Sequence, residues 1–176
     1  MQGDGLHIRP ATASDAAAIS ALMEPDSQSR GGSLFGDWGV EKIARWIATD
    51  ALILLAVEAG RIVAVLFTAE KGAVSTPAID AMWRAWPGAG DAYVYGPVCL
   101  AAEARGRGVL ALLADALRAR RPGREAVLFI NRDNPRSITA HLRIGVRPVA
   151  EFTLPPDQQF QVFVLEDGSY TNMPGP

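Results

Sequence analysis

Residues 105–110 read Arg-Gly-Arg-Gly-Val-Leu, and they stand between a strand pattern and a helical pattern. Two glycines, Gly106 and Gly108, let a backbone turn tightly and approach a ligand without interference from a Cβ atom. The helix predicted to follow offers unpaired N–H donors and a partial positive charge at its N-terminus. The stretch therefore predicts a phosphate-binding turn, with a solvated loop before a helix as the alternative.

The elements around this turn alternate between strands and helices. Upstream we predict first a strand at 6–9, a helix from a cap at Ser14 to Met23, a loop at 25–36 and a helix at 39–49. A hairpin of strands 51–59 and 61–69 follows, with its turn at Gly60 and Arg61. Next come a loop with one helical stretch at 71–90 and a strand at 92–100 that is interrupted by Gly96-Pro97. Downstream we predict a helix at 107–121, a strand at 126–131, a helix opened by Asn134-Pro135 and ended by Gly145, and strands at 146–154 and 159–165. This order predicts a mixed α/β sheet.

Composition excludes several classes of protein. The 176 residues are 49% hydrophobic with a net charge of -2, which favours one globular domain and excludes bulk disorder. The pI near 5.7 gives no reason to expect nucleic-acid binding. A single cysteine and two histidines favour neither a disulfide framework nor a metal centre. The sequence has no membrane-spanning or export pattern, so we expect a cytoplasmic protein without a membrane partner.

Residues 106–111 also match the G-x-G-x-x-G/A fingerprint of dinucleotide-binding proteins, and Asp133 follows downstream. However, too little sequence follows the turn to complete a doubly wound dinucleotide domain. A nucleotide-binding oxidoreductase fragment therefore remains only as a third hypothesis. A P-loop is excluded, because the sequence lacks its Gly-Lys-Ser/Thr ending.

The turn resembles the acyl-CoA motif Q/R-x-x-G-x-G/A of the GNAT superfamily of N-acetyltransferases. Arg105 fills the first position and Gly108 the central glycine, whereas Leu110 replaces the final Gly/Ala. Residues 97–100 resemble the end of the family's fourth strand, and residues 8–11 followed by Asp15 resemble its N-terminus. The resemblance spans residues 6–165, with 71–90 as an insertion. It implies one domain over residues 1–168, a frayed tail at 169–176, and an α/β fold. In that fold a mixed, mostly antiparallel sheet with a splayed fourth strand is flanked by helices.

A second motif of the family, N-x-x-A/S followed by a tyrosine and Gly-Phe, is matched further along. Asn134 and Ser137 occupy its first positions, His141 stands where the family has tyrosine, and Gly145-Val146 replaces Gly-Phe. Helical spacing places the first three on one face. Since that tyrosine is often proposed to protonate the leaving thiolate, the resemblance implies that His141 is a general acid or a hydrogen-bond partner of the sulfur. A surface or capping histidine without a catalytic role is the alternative.

The resemblance implies an acetyl-CoA-dependent N-acetyltransferase in which a primary amine of a small molecule or peptide attacks the thioester directly. The backbone N–H of Leu100 would polarise the thioester carbonyl, which makes Leu100 and His141 the candidate catalytic residues. Arg105 and Arg107 place positive charge where a polyphosphate would lie. The expected cofactor-binding residues are Val98, Leu100, Arg105, Gly106, Arg107, Gly108, Val109, Leu110, Asn134 and Ser137, and no metal is expected.

Several alternatives remain open at this point. Departures at Leu110, His141 and Val146 allow a non-catalytic CoA-binding or regulatory module. Cys99 is interpreted as a buried structural residue and not a nucleophile. Other residues are candidates for further roles: Glu70 and Tyr93 as the general base, Phe35, Trp38, Trp83 and Trp86 as the lining of an acceptor pocket, and Arg132 and Arg136 as contacts to the nucleotide phosphates. For each of them a structural or solvent-exposed side chain without such a role is the alternative interpretation. Dimers are common in the family, so a homodimer is among the expected states.

Overall fold

The computed structural model describes residues 5–166. Its strands are β1 (His7–Pro10), β2 (Leu54–Glu58), β3 (Arg61–Glu70), β4 (Tyr93–Leu100), β5 (Ala126–Asn131), β6 (Arg147–Leu154) and β7 (Gln158–Leu165). Its α-helices are α1 (Ala16–Met23), α2 (Val40–Ile47), α3 (Pro77–Ala85), α4 (Val109–Arg120) and α5 (Pro135–Arg143). The predicted element order is confirmed, and the tail predicted at 169–176 lies outside the described residues.

The strands form one seven-stranded sheet in the order β1-β2-β3-β4-β5-β7-β6. The pairs β1/β2, β2/β3, β5/β7 and β6/β7 are antiparallel, whereas β4 and β5 are parallel. The parallel register joins only Tyr93 to Ala126 and Val94 to Val127, although β4 is eight residues long. The predicted fold class, a mixed and mostly antiparallel sheet with a divergent fourth strand, is confirmed.

The described residues divide into two compact units, and the first comprises residues 5–69 and 95–116. Its core contains a cluster of three rings, Trp38, Trp46 and Phe67, whose centroids lie 5.2 to 5.4 Å apart. The Trp46 indole N–H also donates to the Thr68 carbonyl at 2.9 Å. Because a buried indole needs an acceptor, this bond fixes α2 against the end of β3.

The hairpin of β2 and β3 turns one residue earlier than the sequence suggests. Glu58 pairs with Arg61, so the two turn residues are Ala59 and Gly60 and not Gly60 and Arg61. Both have positive φ, +48° and +75°. Two left-handed residues match the right-handed twist of the paired strands, and this tertiary preference makes Ala59 adopt a conformation it rarely takes alone.

The first helical segment also begins earlier than predicted. A 3-10 turn at Ala13–Asp15 precedes α1, and its N-cap is Thr12, so the predicted cap at Ser14 is wrong. The Thr12 N–H donates to Asp15 Oδ2 at 2.7 Å, and Arg9 binds both Asp15 oxygens at 2.8 and 2.9 Å. Together these bonds lower the pKa of the Asp15 carboxyl to about 2, chiefly through Arg9.

Asp15→Asn is expected to lower the free energy of unfolding at neutral pH by about 2 kcal/mol, because the folded pKa lies well below the ordinary value. A depressed carboxylate pKa stabilises the fold above the unfolded pKa of 3.8, and that stability is lost as pH falls towards about 2. Urea unfolding at several pH values measures this loss. Glu24→Gln is the control, since Glu24 pairs with Arg30 while 57% exposed. Equal losses in the two variants at neutral pH would contradict the assignment.

The second unit comprises residues 70–94 and 117–166. Within it, Phe152 and Phe160 stack at 5.0 Å, and Phe129 meets both edge-on. Helix α3, which lies in the predicted insertion at 71–90, packs against β6. The predicted helix start at Asn134-Pro135 is confirmed, and the predicted end is confirmed at Gly145, whose φ is +94°.

Candidate active site

The predicted phosphate-binding turn lies in the first unit and joins β4 to α4. Gly106 and Gly108 have φ of +70° and +77°, in the left-handed region that favours glycine. A Cβ atom built on either residue would meet nothing within 4 Å. The requirement for glycine is therefore one of backbone conformation, and the space beside both residues is open to a ligand.

The start of α4 supplies backbone donors at this turn. The Leu112 N–H donates to the Gly108 carbonyl at 3.1 Å. The N–H groups of Val109, Leu110 and Ala111 precede that bond, so helix geometry gives them no intrahelical acceptor. Val109 is buried and Leu110 is half-buried. The backbone arrangement fits an anion at the helix N-terminus.

The Arg105 side chain folds back onto the protein. Its Nη2 donates to Asp26 Oδ2 at 2.8 Å, and its Nε donates to the Leu100 carbonyl at 3.3 Å. Arg105 therefore fastens the turn to the end of β4. Asp26 could not be predicted as this partner, because it lies in a Ser/Gly-rich loop 79 residues away with no local pattern that marks it.

The Arg107 side chain is also paired. It donates two hydrogen bonds to the carboxylate of Glu58, at 2.6 and 3.0 Å, in a side-by-side arrangement. This pairing lowers the pKa of Glu58. Glu58 is the last residue of β2, and no local pattern in the sequence marks it as the partner of Arg107. The positive charge expected at the turn is thus matched by nearby carboxylates.

Residues at the end of β4 alternate between two faces. Val98 and Leu100 are half-buried, whereas Cys99 between them points to the opposite face and is 3% exposed. Its Sγ lies 3.8 Å from the Leu22 carbonyl and 3.7 Å from Asp26. Burial raises the pKa of the Cys99 thiol to about 12, which supports its interpretation as a structural residue.

A groove of about 740 Å³ adjoins Leu100 in the first unit. Apolar residues of α1 and β3, including Ala18, Leu22 and Ile62, form part of its lining. Three ion pairs also line it: Arg9 with Asp15, Arg61 with Glu103, and Arg105 with Asp26. The groove thus combines an apolar surface with charges that are matched in pairs.

The second motif lies on α5 in the second unit. The Asn134 side chain caps the helix by accepting from the Ser137 N–H at 3.2 Å. His141 Nδ1 lies 2.8 Å from the Ser137 carbonyl oxygen, and Ser137 Oγ is 3.3 Å away. Ser137 and His141 share one face of α5, as expected, whereas Asn134 precedes the helix and uses its side chain as the N-cap.

The protonation of His141 differs from the expectation of an ordinary histidine. The imidazole is 6% exposed, and this burial lowers its pKa below 6.5. Because a carbonyl oxygen only accepts, Nδ1 carries the proton that is donated to Ser137. The neutral tautomer with a proton on Nδ1 therefore dominates at neutral pH, and the role of His141 as a general acid stays a prediction.

The two candidate bases have structural partners within the second unit. The Glu70 carboxylate binds Arg124 at 2.6 Å and Arg121 at 3.1 Å, and these guanidinium groups lower its pKa. Burial raises the pKa of Tyr93 to about 12, and Arg124 stacks on its ring at 5.0 Å. Glu70 is thus a weak base and Tyr93 keeps its proton, which favours the structural interpretation of both.

The aromatic and arginine candidates have varied surroundings. Trp38 belongs to the core of the first unit, whereas Phe35 is 38% exposed. In the second unit Lys71 lies 4.7 Å above the Trp83 ring, and the Trp86 indole donates to Glu125. Arg132 pairs with Glu151 at 2.6 Å, and Arg136 is exposed. Core packing, not an acceptor pocket, therefore accounts for Trp38.

Within residues 5–166, no group of three or more His, Cys, Asp or Glu side chains is placed to hold a metal ion. In the same range, no helix is both long and apolar enough to cross a membrane.

Comparison with protein-family models and with curated proteins finds no match. Solved structures do match. YncA from Salmonella typhimurium, solved with its cofactor acetyl-CoA, is 18% identical with a TM-score of 0.66, and the match covers 95% of this chain and 96% of that one. A GNAT superfamily phosphinothricin acetyltransferase from Sinorhizobium meliloti, in complex with acetyl-CoA, is 16% identical with a TM-score of 0.66. That match covers 97% of this chain and 93% of the other. A ribosomal-protein-alanine N-acetyltransferase from Brucella melitensis is 17% identical with a TM-score of 0.67, and the match covers 91% of this chain and 99% of that one. The resemblance indicated by the motifs is thereby confirmed at the level of architecture, and the chain has the fold of the GNAT acetyltransferases.

Proposed function

We propose that this protein is an acetyl-CoA-dependent N-acetyltransferase that acts on a primary amine. One observation carries the proposal: two left-handed glycines, Gly106 and Gly108, with open space beside them, lead directly into the N-terminus of α4. This geometry suits a pyrophosphate group. Two of the solved structures that share the fold contain acetyl-CoA.

The proposed roles follow from the chemistry of acyl transfer. Acetyl-CoA, when bound, supplies an activated acetyl thioester. The N–H groups at the start of α4 bind its pyrophosphate, and the N–H of Leu100 donates to the thioester carbonyl oxygen. As the carbon–sulfur bond breaks, the imidazolium form of His141 delivers its Nε2 proton to the departing sulfur, and the amine that has attacked the carbonyl loses a proton to water. Cys99 takes no part, because a thiol with a pKa near 12 holds its proton, so the amine attacks the thioester directly.

A binding measurement and a turnover measurement together test this proposal. Thermal shift is measured with acetyl-CoA, longer acyl-CoAs and NAD, and thiol release is then followed with a panel of amino acids, polyamines, aminoglycosides and peptides. We expect stabilisation by acetyl-CoA and not by NAD, because the ligand binds the folded state. We also expect thiol release that depends on an amine acceptor.

Each other outcome selects a different function. Stabilisation by CoA without thiol release from any acceptor would favour the non-catalytic CoA-binding module. Stabilisation by NAD alone would favour the dinucleotide-binding alternative. No stabilisation by any CoA species would overturn the proposal.

A further inference from the structure

Both guanidinium groups of the phosphate-binding turn are matched by carboxylates from distant parts of the first unit. Arg105 pairs with Asp26 at 2.8 Å, and Arg107 pairs with Glu58 at 2.6 Å. The nearby Arg61 pairs with Glu103 at 3.0 Å. A polyphosphate arriving at this turn therefore meets two arginines, Arg105 and Arg107, whose charges are already balanced by acidic side chains.

The two acids that hold the turn differ in their surroundings. Asp26 is part of the loop framework, because its carbonyl accepts the Leu34 N–H at 2.9 Å and its carboxylate lies 3.7 Å from Cys99 Sγ. Glu58 ends β2, and its two carboxylate oxygens accept from Arg107 Nη2 and Nη1. Loss of the Glu58 charge would therefore release Arg107 while leaving the loop contacts of Asp26 in place.

Arg107 lies where a bound anion would interact with it. It stands between Gly106 and Gly108, two residues before the start of α4, and it is 46% exposed. Its planar fork suits one bidentate partner, either a carboxylate or a phosphate. In this structure Glu58 occupies that fork, and Arg107 Nη1 also lies 3.4 Å from the Glu103 carbonyl.

We propose that Glu58 is a positioning residue that competes with the pyrophosphate of acetyl-CoA for the Arg107 guanidinium and thereby limits the affinity for acetyl-CoA. This inference rests on the proposed function, since it assumes that the turn binds a pyrophosphate. Glu58, which lies outside the motif, thus controls how tightly the motif binds acetyl-CoA.

The test compares Glu58→Gln with Glu103→Gln by titration calorimetry with acetyl-CoA. Both substitutions remove one negative charge from the same neighbourhood, but the Glu103 carboxylate pairs with Arg61 and not with Arg107. We expect Glu58→Gln to bind acetyl-CoA about two- to fivefold more tightly, as suits release from one exposed ion pair. Glu103→Gln should bind as the wild type does.

Two further readouts separate competition from a structural effect. With acetyl-CoA as substrate, Glu58→Gln should lower KM and leave kcat unchanged. With S-acetylpantetheine, which lacks the pyrophosphate, kcat/KM should be the same in both proteins. The gain should also vanish in the Arg107→Ala background, because Glu58 acts through Arg107.

Acetyl-CoA affinity that is unchanged or weaker in Glu58→Gln would overturn the inference while leaving the proposed function standing. An equal gain in Glu103→Gln, or a gain that persists without Arg107, would overturn it as well. If the wild type binds no CoA species at all, the proposed function falls and the inference falls with it.

Discussion

Gly108→Val is expected to weaken acetyl-CoA binding on the order of 100-fold, the largest loss of affinity that we expect from a single substitution. Gly108 has a φ of +77°, which a β-branched residue rarely adopts. Its Cβ position is empty within 4 Å, so the added valine methyls would fill the space that the proposed pyrophosphate needs. Titration calorimetry with acetyl-CoA measures the loss.

Gly123→Val is the matched control for the backbone cost. Gly123 follows α4, has a φ of +70°, and likewise has nothing within 4 Å of its Cβ position. Both variants should lose about 1–2 kcal/mol of stability through the left-handed conformation. Only Gly108→Val should lose acetyl-CoA affinity. Retention of wild-type affinity by a folded Gly108→Val protein would refute the phosphate-binding role of the turn.

His141→Phe is expected to lower turnover on the order of 100-fold near neutral pH, because the departing sulfur loses its proton donor. Acetyl-CoA affinity should be retained, since the proposed pyrophosphate donors belong to α4. Phenylalanine also suits the buried site, where the imidazole is 6% exposed. Thiol release with an amine acceptor measures kcat and KM separately.

The pH profile distinguishes an acid from a structural histidine. Burial lowers the pKa of His141, so its protonated fraction falls tenfold per pH unit over the neutral range. Over the same range the neutral fraction of an amine acceptor with a pKa near 10 rises tenfold per unit. Their product is constant, so wild-type kcat/KM should be flat between about pH 7 and pH 9, whereas that of His141→Phe should rise. Parallel profiles with equal turnover would contradict the role of His141.

Features that rest on local chemistry could be predicted from the sequence. The positive φ values of Gly106 and Gly108, the cap at Asn134 and the helix end at Gly145 each follow from one residue and its immediate neighbours. Strand and helix order follows from hydrophobic periodicity for the same reason. Two boundaries differ from the prediction by one or two residues. Strand pairing places the hairpin turn at Ala59 and Gly60, and the contact between Arg9 and Asp15 places the first helical cap at Thr12.

Features that depend on distant partners could not be predicted. Glu58 and Arg107 are 49 residues apart, and Arg105 and Asp26 are 79 apart, with no local pattern that joins them. The motif placed His141 on the same helix face as Ser137, which it contacts, but its lowered pKa depends on the packing that buries it. Sequence spacing thus indicated which ionisable side chains lie in the two motifs, whereas their pairing and protonation depend on the folded environment.

The burial of Cys99 has a practical consequence for assays of this protein. The chain has one cysteine, and its thiol is 3% exposed with a pKa near 12. The reactive species toward colorimetric disulfide reagents is the thiolate, which is nearly absent here at neutral pH. In the proposed thiol-release assay, a thiol signal from the folded protein would therefore report CoA released by the proposed reaction, which could be followed continuously without mutating Cys99.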